Sequence, residues 1–405
     1  MRLHLLALNP TDSVTEGFLP AAARLGLAVT LLTDQPDRHR RAYARHVADG
    51  GDPLPDLDVV PCDVRDFREV VGRISALGRP DAVFTNSDHL QVQAALAAEY
   101  FGLPGKDWRA AHKAKDKAEL RRALAAAGLD AVWSLELAPG QDVDAAADAP
   151  FPCVLKPREG VASEDVVLVR DAAELADRCR EIRSRRPDAA LVVEEYLDGP
   201  LYTLETLGDG TVLHPYAAFR TAVSPLPHFI EERLDLLPDL PQPHSDQVLA
   251  QLQALGIGFG ICHTEYVAQG DRARIIEVNY RAVGDQCDLV LAQLLDIPLF
   301  EHVLRTHLGE PLPARLGART DGRARIEYVC AGQAGTLKAA PGAGDTEQDG
   351  VRLVYRPMRE PGEEHPHYRT NRDYLGVLRA TGTDQDRIDR AVTEFLGARQ
   401  WEIVS

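Results

Sequence analysis

Three residues in the second half of the chain have the types and spacing of a site that could hold a metal ion and a phosphate. Glu277, Asn279 and Arg281 occupy alternate positions after the apolar pair Ile275 and Ile276. Side chains two residues apart on a β-strand point to the same face, so one strand would present all three together. Two oxygen donors beside an arginine can bind Mg²⁺ and the phosphate that accompanies it.

A second carboxylate, that of Glu265, is expected at the same place. It lies within His263–Val267, which has the pattern of a neighbouring strand, and a tight turn near residues 269–271 would join the two strands. The alternative is an edge strand with solvated charges, which is common for any single acid. That alternative does not explain why three polar residues share one face after an apolar run. We therefore predict Glu265, Glu277 and Asn279 as metal ligands.

The composition is that of a soluble globular protein with several lobes. A chain of 405 residues is expected to form about two to four lobes. The formal charge of −17 argues against nucleic acid or an anionic membrane as a partner, since both attract basic surfaces. No apolar run approaches the roughly 20 residues that would span a bilayer. Six cysteines are scattered without paired metal spacing, which is typical of the reducing cytoplasm.

The first hundred residues alternate between strand and helix patterns, which predicts a parallel sheet covered by helices. In such sheets the ligand crevice lies at the carboxyl ends of the strands. Two polar loops, Asn9–Ser13 and Thr85–Asp88, follow predicted strands and should line that crevice. No Gly-x-Gly-x-x-Gly motif follows the first strand, so a dinucleotide-binding function is disfavoured.

The remaining segments predict mixed α and β structure. Lys113–Ala127 has the composition of one helix, and residues 151–196 predict a small strand–strand–helix–strand lobe. More strands and helices alternate over residues 200–300, and a mixed segment follows them. The fold class predicted from these patterns is α/β with α+β lobes.

Four features stand in a fixed order along the chain. Lys115-Asp116-Lys117 opens a helix, and the apolar strand Phe151–Pro157 carries Lys156 near its end. Val192–Gly199 then ends a strand with two acids and an apolar residue, and the Glu265 and Glu277–Arg281 segments follow. Together they closely resemble the ATP-grasp family of carboxylate–amine ligases over roughly residues 1–300. Each feature alone is weak evidence, but the ordered set is specific.

The resemblance implies an ATP-grasp architecture. It would comprise an N-terminal Rossmann-like domain (residues 1–105), a central lobe with a flap (106–197), a C-terminal lobe with the magnesium site (198–310) and a mixed α/β extension (311–405).

The resemblance also assigns a nucleotide site. Lys117 and Lys156 would contact the phosphates of ATP. Glu194, Glu195 and Leu197 would read the adenine, the last two through their backbone. In the flap Arg158–Asp165, Ser163 would donate to the γ-phosphate. The flap has less glycine than the family pattern, which leaves the role of Glu164 and Asp165 open, and Glu205 is a candidate for the ribose contact because Leu201 stands where relatives carry an acid.

The activity implied is amide-bond formation through an acyl phosphate, with release of ADP and phosphate. Glu265, Glu277 and Asn279 would bind Mg²⁺, as two ions that Mn²⁺ could replace. Arg281 would hold the acyl phosphate, and Lys156 and Ser163 would assist the phosphoryl transfer.

The substrates would be a small carboxylate and an amine. Candidate contacts are His263, Arg220, Glu231, Arg233 and Gly284, each with an ordinary structural role as the alternative. The layout is most similar to the L-amino acid ligase group, some of whose members serve siderophore or peptide-like natural-product pathways. A biotin- or purine-type carboxylase and a non-catalytic ATP-binding regulator are the other hypotheses. We also expect a cytoplasmic homodimer.

Overall fold

The computed structural model describes residues 1–141, 143–317 and 321–405. Asp142, within the expected central lobe, and residues 318–320, within the expected extension, lie outside the described residues. In the part of the chain that is described, every helix is too short or too polar to cross a membrane.

The N-terminal domain is built on a four-stranded parallel sheet, as predicted. Its strands are β1 (Arg2–Leu6), β2 (Ala28–Thr33), β3 (Leu57–Pro61) and β4 (Ala82–Phe84), in the order β3-β2-β1-β4. Its helices are α1 (Leu19–Arg24), α2 (Pro36–Ala48), α3 (Phe67–Leu77) and α4 (Gln91–Phe101). A wide helical turn, Ser13–Phe18, precedes α1. β1 and β2 are almost entirely buried, as expected for strands covered on both faces.

Two short helices link this domain to the rest of the chain. They are α5 (Trp108–Lys115) and α6 (Lys117–Ala126). The single helix predicted over Lys113–Ala127 was wrong, because the chain is extended at Asp116 between them. The Asp116 side chain accepts hydrogen bonds from the amides of Ala118 and Glu119. An aspartate that caps a helix in this way competes with helix continuation through its own position.

The small central lobe is an antiparallel sheet with one helix. Its strands are β5 (Ser134–Leu137), β6 (Cys153–Pro157), β7 (Val167–Val169) and β8 (Leu191–Glu195), and its helix is α7 (Ala172–Arg185). The strand order is β5-β8-β6-β7. The lobe has an apolar core of its own, which includes Leu155, Val193 and Leu175. It is therefore packed as a unit distinct from the rest.

A nine-stranded sheet forms the large part of the molecule. Its strands are β9 (Leu201–Asp209), β10 (Leu213–Val223), β11 (Glu231–Leu236), β12 (Phe259–Gln269), β13 (Arg272–Asn279), β14 (Arg323–Cys330), β16 (Gly344–Gln348), β17 (Val351–Pro357) and β19 (Tyr374–Gly382). Their order is β13-β12-β9-β10-β11-β14-β19-β17-β16. The helices α8 (His244–Leu255), α9 (Cys287–Leu294), α10 (Leu299–His307) and α11 (Gln385–Gly397) follow in chain order. A second sheet orders β18 (Glu364–His365), β15 (Gly335–Ala339) and β20 (Glu402–Val404) as β18-β15-β20.

The sheet runs across the boundary expected at residue 310. Arg233, Leu234 and Asp235 of β11 pair with residues 325–327 of β14. The N-terminal domain, the C-terminal lobe and the extension also share one apolar cluster, which joins residues such as Phe18, Phe219 and Val377. The extension is thus continuous with the C-terminal lobe, while the division into four domains stays a prediction.

Candidate active site

The predicted metal ligands meet on the paired strands β12 and β13. Glu265 lies opposite Glu277, and His263 lies opposite Asn279. The register shifts just after Glu265, because Ile276 is an extra residue between the pairs on β13. Such a bulge turns a side chain out of the regular alternation. Ile275 accordingly enters the core, whereas Ile276 faces a cavity.

Two cavities meet at these strands. The inner cavity, of about 160 Å³, lies between the small lobe and the C-terminal lobe. The outer cavity, of about 640 Å³, lies among the N-terminal domain, the C-terminal lobe and the extension. Five residues line both cavities: Val161, Ser163, Glu231, Glu265 and Glu277. The two carboxylates of the predicted metal set therefore stand at the junction of the cavities.

The side chains at this junction fit a divalent cation. Asn279 donates from Nδ2 to Glu265 Oε1 at 3.3 Å, so its amide oxygen remains available as a ligand. Glu277 Oε1 accepts from Lys117 Nζ at 2.8 Å. Among the described residues there is no metal-binding cluster of three or more His, Cys, Asp or Glu side chains. The set here has two carboxylates completed by an amide, all of them hard oxygen ligands suited to Mg²⁺.

A buried histidine, His263, lies between the carboxylates of Glu265 and Glu205. His263 Nδ1 lies 2.7 Å from Glu205 Oε1, and His263 Nε2 lies 3.5 Å from Glu265 Oε1. Burial opposes protonation, but the carboxylates of Glu205 and Glu265 raise the pKa of His263 to about 10. The cationic imidazole lines the outer cavity and fixes the position of Glu265. Glu205 is fully buried, its carboxylate is hydrogen-bonded to His263 and Thr203, and it lines neither cavity. The structure therefore does not support the ribose contact expected of Glu205.

The inner cavity contains a buried ion network. Glu194 Oε2 lies 2.8 Å from Lys156 Nζ and 2.7 Å from Arg121 Nη2. Arg121 also donates to the backbone carbonyl of Ile275, which links the small lobe to β13. Burial favours the neutral acid, but the charges of Arg121 and Lys156 lower the pKa of Glu194 to about 2. The other carboxylate oxygen, Oε1, is buried and has no hydrogen-bond partner among the described residues.

Replacing Glu194 with glutamine should destabilise the protein. The change leaves Arg121 and Lys156 as buried cations without a counterion, and we expect the free energy of unfolding at pH 7 to fall by about 3–5 kcal/mol. Because folding lowers the pKa of Glu194 below its ordinary value of 4.5, the charged carboxylate stabilises the native state above that pH. The difference between the two proteins should shrink as the pH falls from about 4.5 to about 2. Denaturant titrations at several pH values measure this, and a difference that stays constant down to pH 2 would contradict it.

The other residues expected at the nucleotide line the inner cavity. Lys117 is buried rather than exposed on its helix, and Lys156 is also buried. Glu195 and Leu197, at the end of β8, lie along the same cavity. Glu195 Oε1 accepts from the amide of Trp133 at 3.2 Å and from Arg274 Nη2 at 3.2 Å, so its side chain is occupied. The Glu195 amide donates to the carbonyl oxygen of Trp133 at 3.0 Å.

The flap passes over the junction of the cavities with an unusual backbone. Ala162, Ser163 and Asp165 have φ values of 57°, 55° and 58°, in the region that normally favours glycine. Ser163 Oγ donates to the carbonyl oxygen of Phe229 at 2.7 Å. The two flap acids bind arginines: Asp165 contacts Arg185 and Arg186, and Glu164 contacts Arg186 and Arg372. Their charges are thereby compensated on the side facing α7 and the extension.

Solved structures share this fold over the whole chain. The structure of an L-amino acid ligase from Bacillus licheniformis matches with a TM-score of 0.77 and 21% sequence identity, covering 100% of this chain and 99% of that one. The chain has the ATP-grasp fold. The structure of a phosphoribosylglycinamide synthetase from Anaerococcus prevotii also matches, with a TM-score of 0.71 and 16% sequence identity, covering 100% of this chain and 99% of that one.

Sequence comparisons agree with the ATP-grasp fold. The uncharacterized protein y4rH of Sinorhizobium fredii is 26% identical over 431 aligned positions, covering 100% of this chain and 84% of that protein. The D-alanine–D-alanine ligase of Anaeromyxobacter sp. (strain Fw109-5) is 29% identical over 248 residues, covering 56% of this chain and 74% of that ligase. No protein-family model matches the chain.

The outer cavity receives only some of the predicted substrate residues. Glu231, His263 and Gly284 line it. Arg220 is exposed on β10 and lines neither cavity. Arg233 also lies outside both cavities and pairs with Asp235 at 3.0 Å. The substrate contacts expected of Arg220 and Arg233 are therefore not supported.

The sequence did not assign an individual role to several residues of the outer cavity. Both predicted crevice loops reach it, through Asp12 and Asn86 among others. Arg356 of β17 enters it from the extension and binds Asp12 and Glu16. Asp285 lines it with a φ of 52°. The two loops could be predicted at the cavity because each follows a parallel strand. Arg356 could not be predicted there, because it lies more than 300 residues away from Asp12 and Glu16 and no local pattern marks it.

Proposed function

We propose that the protein is an ATP-dependent ligase that joins a carboxylate to an amine through an acyl phosphate and releases ADP and phosphate. The observation that carries this proposal is the junction of the two cavities. Glu265 and Glu277 line both the inner and the outer cavity. A phosphoryl group that is transferred from a nucleotide in one cavity to a carboxylate in the other must pass this point.

The inner cavity suits the nucleotide. Much of its lining is apolar, with Leu197, Phe229 and Ile276 among others, as a purine ring requires. The unpartnered Oε1 of Glu194 is an acceptor for the exocyclic amine of adenine. Lys156 keeps two donors beyond its bond to Glu194, and these would reach the phosphates. Lys117 is the other phosphate contact that we propose. Ser163 would join it once its hydroxyl turns away from the carbonyl oxygen of Phe229, to which it donates in this structure.

Glu265, Glu277 and Asn279 would hold Mg²⁺ in this ligase. The bound metal would neutralise the charge of the β- and γ-phosphates during transfer. We propose two ions, with Mn²⁺ able to replace them. Lys117 would compensate the charge of Glu277 until the metal binds, since the two side chains are already 2.8 Å apart.

Arg281 would act in the outer cavity. A carboxylate oxygen of the substrate attacks the γ-phosphorus, ADP leaves, and the mixed anhydride remains beside the guanidinium. The amine then attacks the carbonyl carbon and loses a proton, and phosphate leaves. A fixed guanidinium can bind both the phosphate group and the oxyanion of the second step.

The charges of the outer cavity favour an amino acid as one substrate. Asp285 faces the cavity, and its carboxylate has no hydrogen-bond or ion-pair partner within the described ranges. Arg281 lies four residues before it and lines the same cavity. A zwitterionic amino acid could bind its ammonium group to the Asp285 carboxylate and its carboxylate to Arg281. A place in siderophore or peptide-like natural-product synthesis is a prediction from the resemblance alone, as are the homodimer and the cytoplasmic location.

Two other functions fit the fold but explain the site less well. A biotin- or purine-type carboxylase shares the ATP-grasp fold, but the flap here has one glycine, Gly160, instead of the long glycine run of biotin carboxylases. A non-catalytic ATP-binding regulator would not require Glu265, Glu277, Asn279 and Arg281 to be kept together at the junction.

A phosphate-release screen tests the proposed function. Pairs of amino acids, hydroxy acids and amines are supplied with ATP and Mg²⁺, and the products are identified by mass. We expect slow ATP hydrolysis alone and stimulation only when the correct carboxylate and amine are both present. Release of AMP and pyrophosphate would instead indicate activation by adenylation and would overturn the acyl-phosphate route.

A further inference from the structure

A segment of the extension, residues 366–373, binds the flap from outside the central lobe. The amide of Asn371 donates to the carbonyl oxygen of Ala162 at 3.2 Å. Next to it, Arg372 Nη2 lies 3.2 Å from Glu164 Oε2. We call residues 366–373 the latch segment.

The same asparagine also binds a residue at the junction of the two cavities. Asn371 Oδ1 accepts from the amide of Glu231 at 3.2 Å, and Asn371 Nδ2 donates to Glu231 Oε2 at 3.3 Å. Tyr374 supports this contact, since its hydroxyl donates to the carbonyl oxygen of Glu231 at 2.8 Å. Asn371 thus connects the flap to a side chain that lines both cavities.

The latch segment has a rigid shape of its own. Asp373 is fully buried and accepts from His365 Nε2 at 2.7 Å and from the amides of Tyr368 and Arg369 at 2.7 and 2.6 Å. The Thr370 hydroxyl caps the following turn by accepting from the amide of Arg372 at 3.1 Å. A loop held by a buried carboxylate can present Asn371 in one position.

The flap, in contrast, is held largely by partners outside it. Its three residues with positive φ adopt a conformation that is unfavourable for non-glycine residues and persists only when the surroundings enforce it. Those surroundings include Phe229 of the C-terminal lobe, which accepts from Ser163, and the latch segment. The central lobe has a separate core, so opening the flap requires these contacts to break.

We propose that Asn371 is a positioning residue, which holds the flap closed over the junction of the cavities and at the same time fixes Glu231. This proposal rests on the proposed ligase function, in which a closed flap would keep water away from the acyl phosphate. The extension would then control access to the site as well as contribute to its wall.

Two substitutions at position 371 separate the contacts of Asn371. Asn371→Ala removes both side-chain bonds to Glu231 and keeps the backbone bond to Ala162. Asn371→Pro removes the backbone bond as well. Proline is compatible with the local backbone, because residue 371 is the first of a short helical turn and Thr370 before it is extended, with φ of −143° and ψ of 177°. Its ring carbon would replace the amide hydrogen that points at the Ala162 oxygen, so this variant also pushes the flap away from the latch segment.

The measurement is hydrogen exchange of the backbone amides of residues 158–166 in the full-length, nucleotide-free protein. We expect exchange in Asn371→Pro to be about fivefold faster than in Asn371→Ala, the effect of one lost hydrogen bond. Exchange in β19 serves as the internal reference for folding. Equal flap exchange in the two variants would overturn the proposal, since only the proline variant removes the bond to Ala162 and places a ring carbon against that oxygen.

A second pair of variants covers the case in which the proline variant does not fold. Arg372→Ala removes the bond to Glu164 and should speed flap exchange by about two- to fivefold, the range of an exposed ion pair. The matched control is Arg352→Ala, which removes another exposed ion pair of the extension, with Asp345 at 2.7 Å, and should leave the flap unchanged. The same flap exchange in these two variants would also overturn the proposal.

A third readout connects the latch to turnover. If the flap excludes water, Asn371→Pro should hydrolyse more ATP per amide formed than Asn371→Ala, and unchanged coupling would oppose the role in water exclusion. Hydrogen exchange in the flap needs no substrate. If the wild-type protein forms no amide with any substrate pair, the proposed ligase function is wrong, but the exchange data still test whether Asn371 holds the flap closed.

Discussion

Replacing Glu277 with glutamine is expected to lower turnover by on the order of 10³-fold. Glutamine keeps an oxygen that can accept from Lys117, so the buried lysine retains a hydrogen-bond partner. What is lost is the negative charge at the junction of the two cavities, which the proposed magnesium site requires. The measurement is the rate of phosphate release with saturating substrates, together with the Mg²⁺ dependence of ADP binding.

The control for Glu277→Gln is Glu347→Gln, which neutralises an exposed acid on β16. This control should keep full activity. The melting temperature of Glu347→Gln should match that of the wild type. Glu277→Gln leaves the buried Lys117 without its counterion and should melt at a lower temperature, so turnover is compared at a temperature at which both variants are fully folded. Retained turnover in Glu277→Gln would remove Glu277 from the metal site and with it the central argument for phosphoryl transfer at the junction.

Replacing Arg281 with alanine should lower turnover by on the order of 10²-fold or more while ADP binding is retained. The reason is its position, because Arg281 lines the outer cavity and not the inner one. Arg281→Lys keeps the charge but cannot form a bidentate contact, and it should recover only a small part of the rate. Stopped-flow phosphate release and calorimetric titration with Mg–ADP measure the two effects.

A matched arginine makes the test of Arg281 specific. Arg220 lies on the same large sheet but is exposed and outside both cavities, so Arg220→Ala should have wild-type rates. If Arg281→Ala weakened ADP binding as much as it lowered turnover, the residue would belong to the nucleotide site. The proposed contact with the acyl phosphate would then be wrong.

The strands of the site could be predicted because their signal is local. The alternation of Glu277 and Asn279, and the turn near residue 270, were enough to place β12 beside β13. The pairing of Glu265 with Glu277 confirms that part. Arg281, which was predicted on the same strand, lies beyond its end at Asn279. The bulge at Ile276 could not be predicted, since both isoleucines are equally apolar and only the cavity distinguishes them.

Other parts of the site depend on contacts between distant segments. Glu205 lies on a strand of mixed composition, and its pairing with His263, 58 residues away, determines that it is buried behind the predicted metal ligands. Asn371 lies 140 residues from Glu231, and no local pattern marks it as part of the site. The break at Asp116 is different, because its capping ability was visible in the sequence and was outweighed by the helical composition around it.

The pairing of β11 with β14 has a consequence for attempts to exchange specificity between relatives. Leu234 pairs with Ile326 at the centre of this seam, and the wall of the outer cavity that carries Arg356 and Asn371 lies beyond it. A graft that slipped the seam by one residue would turn every grafted side chain to the opposite face. Chimaeric proteins should therefore be joined in the loops on either side of the β11–β14 pair, where the length of the chain can vary without a shift in strand register.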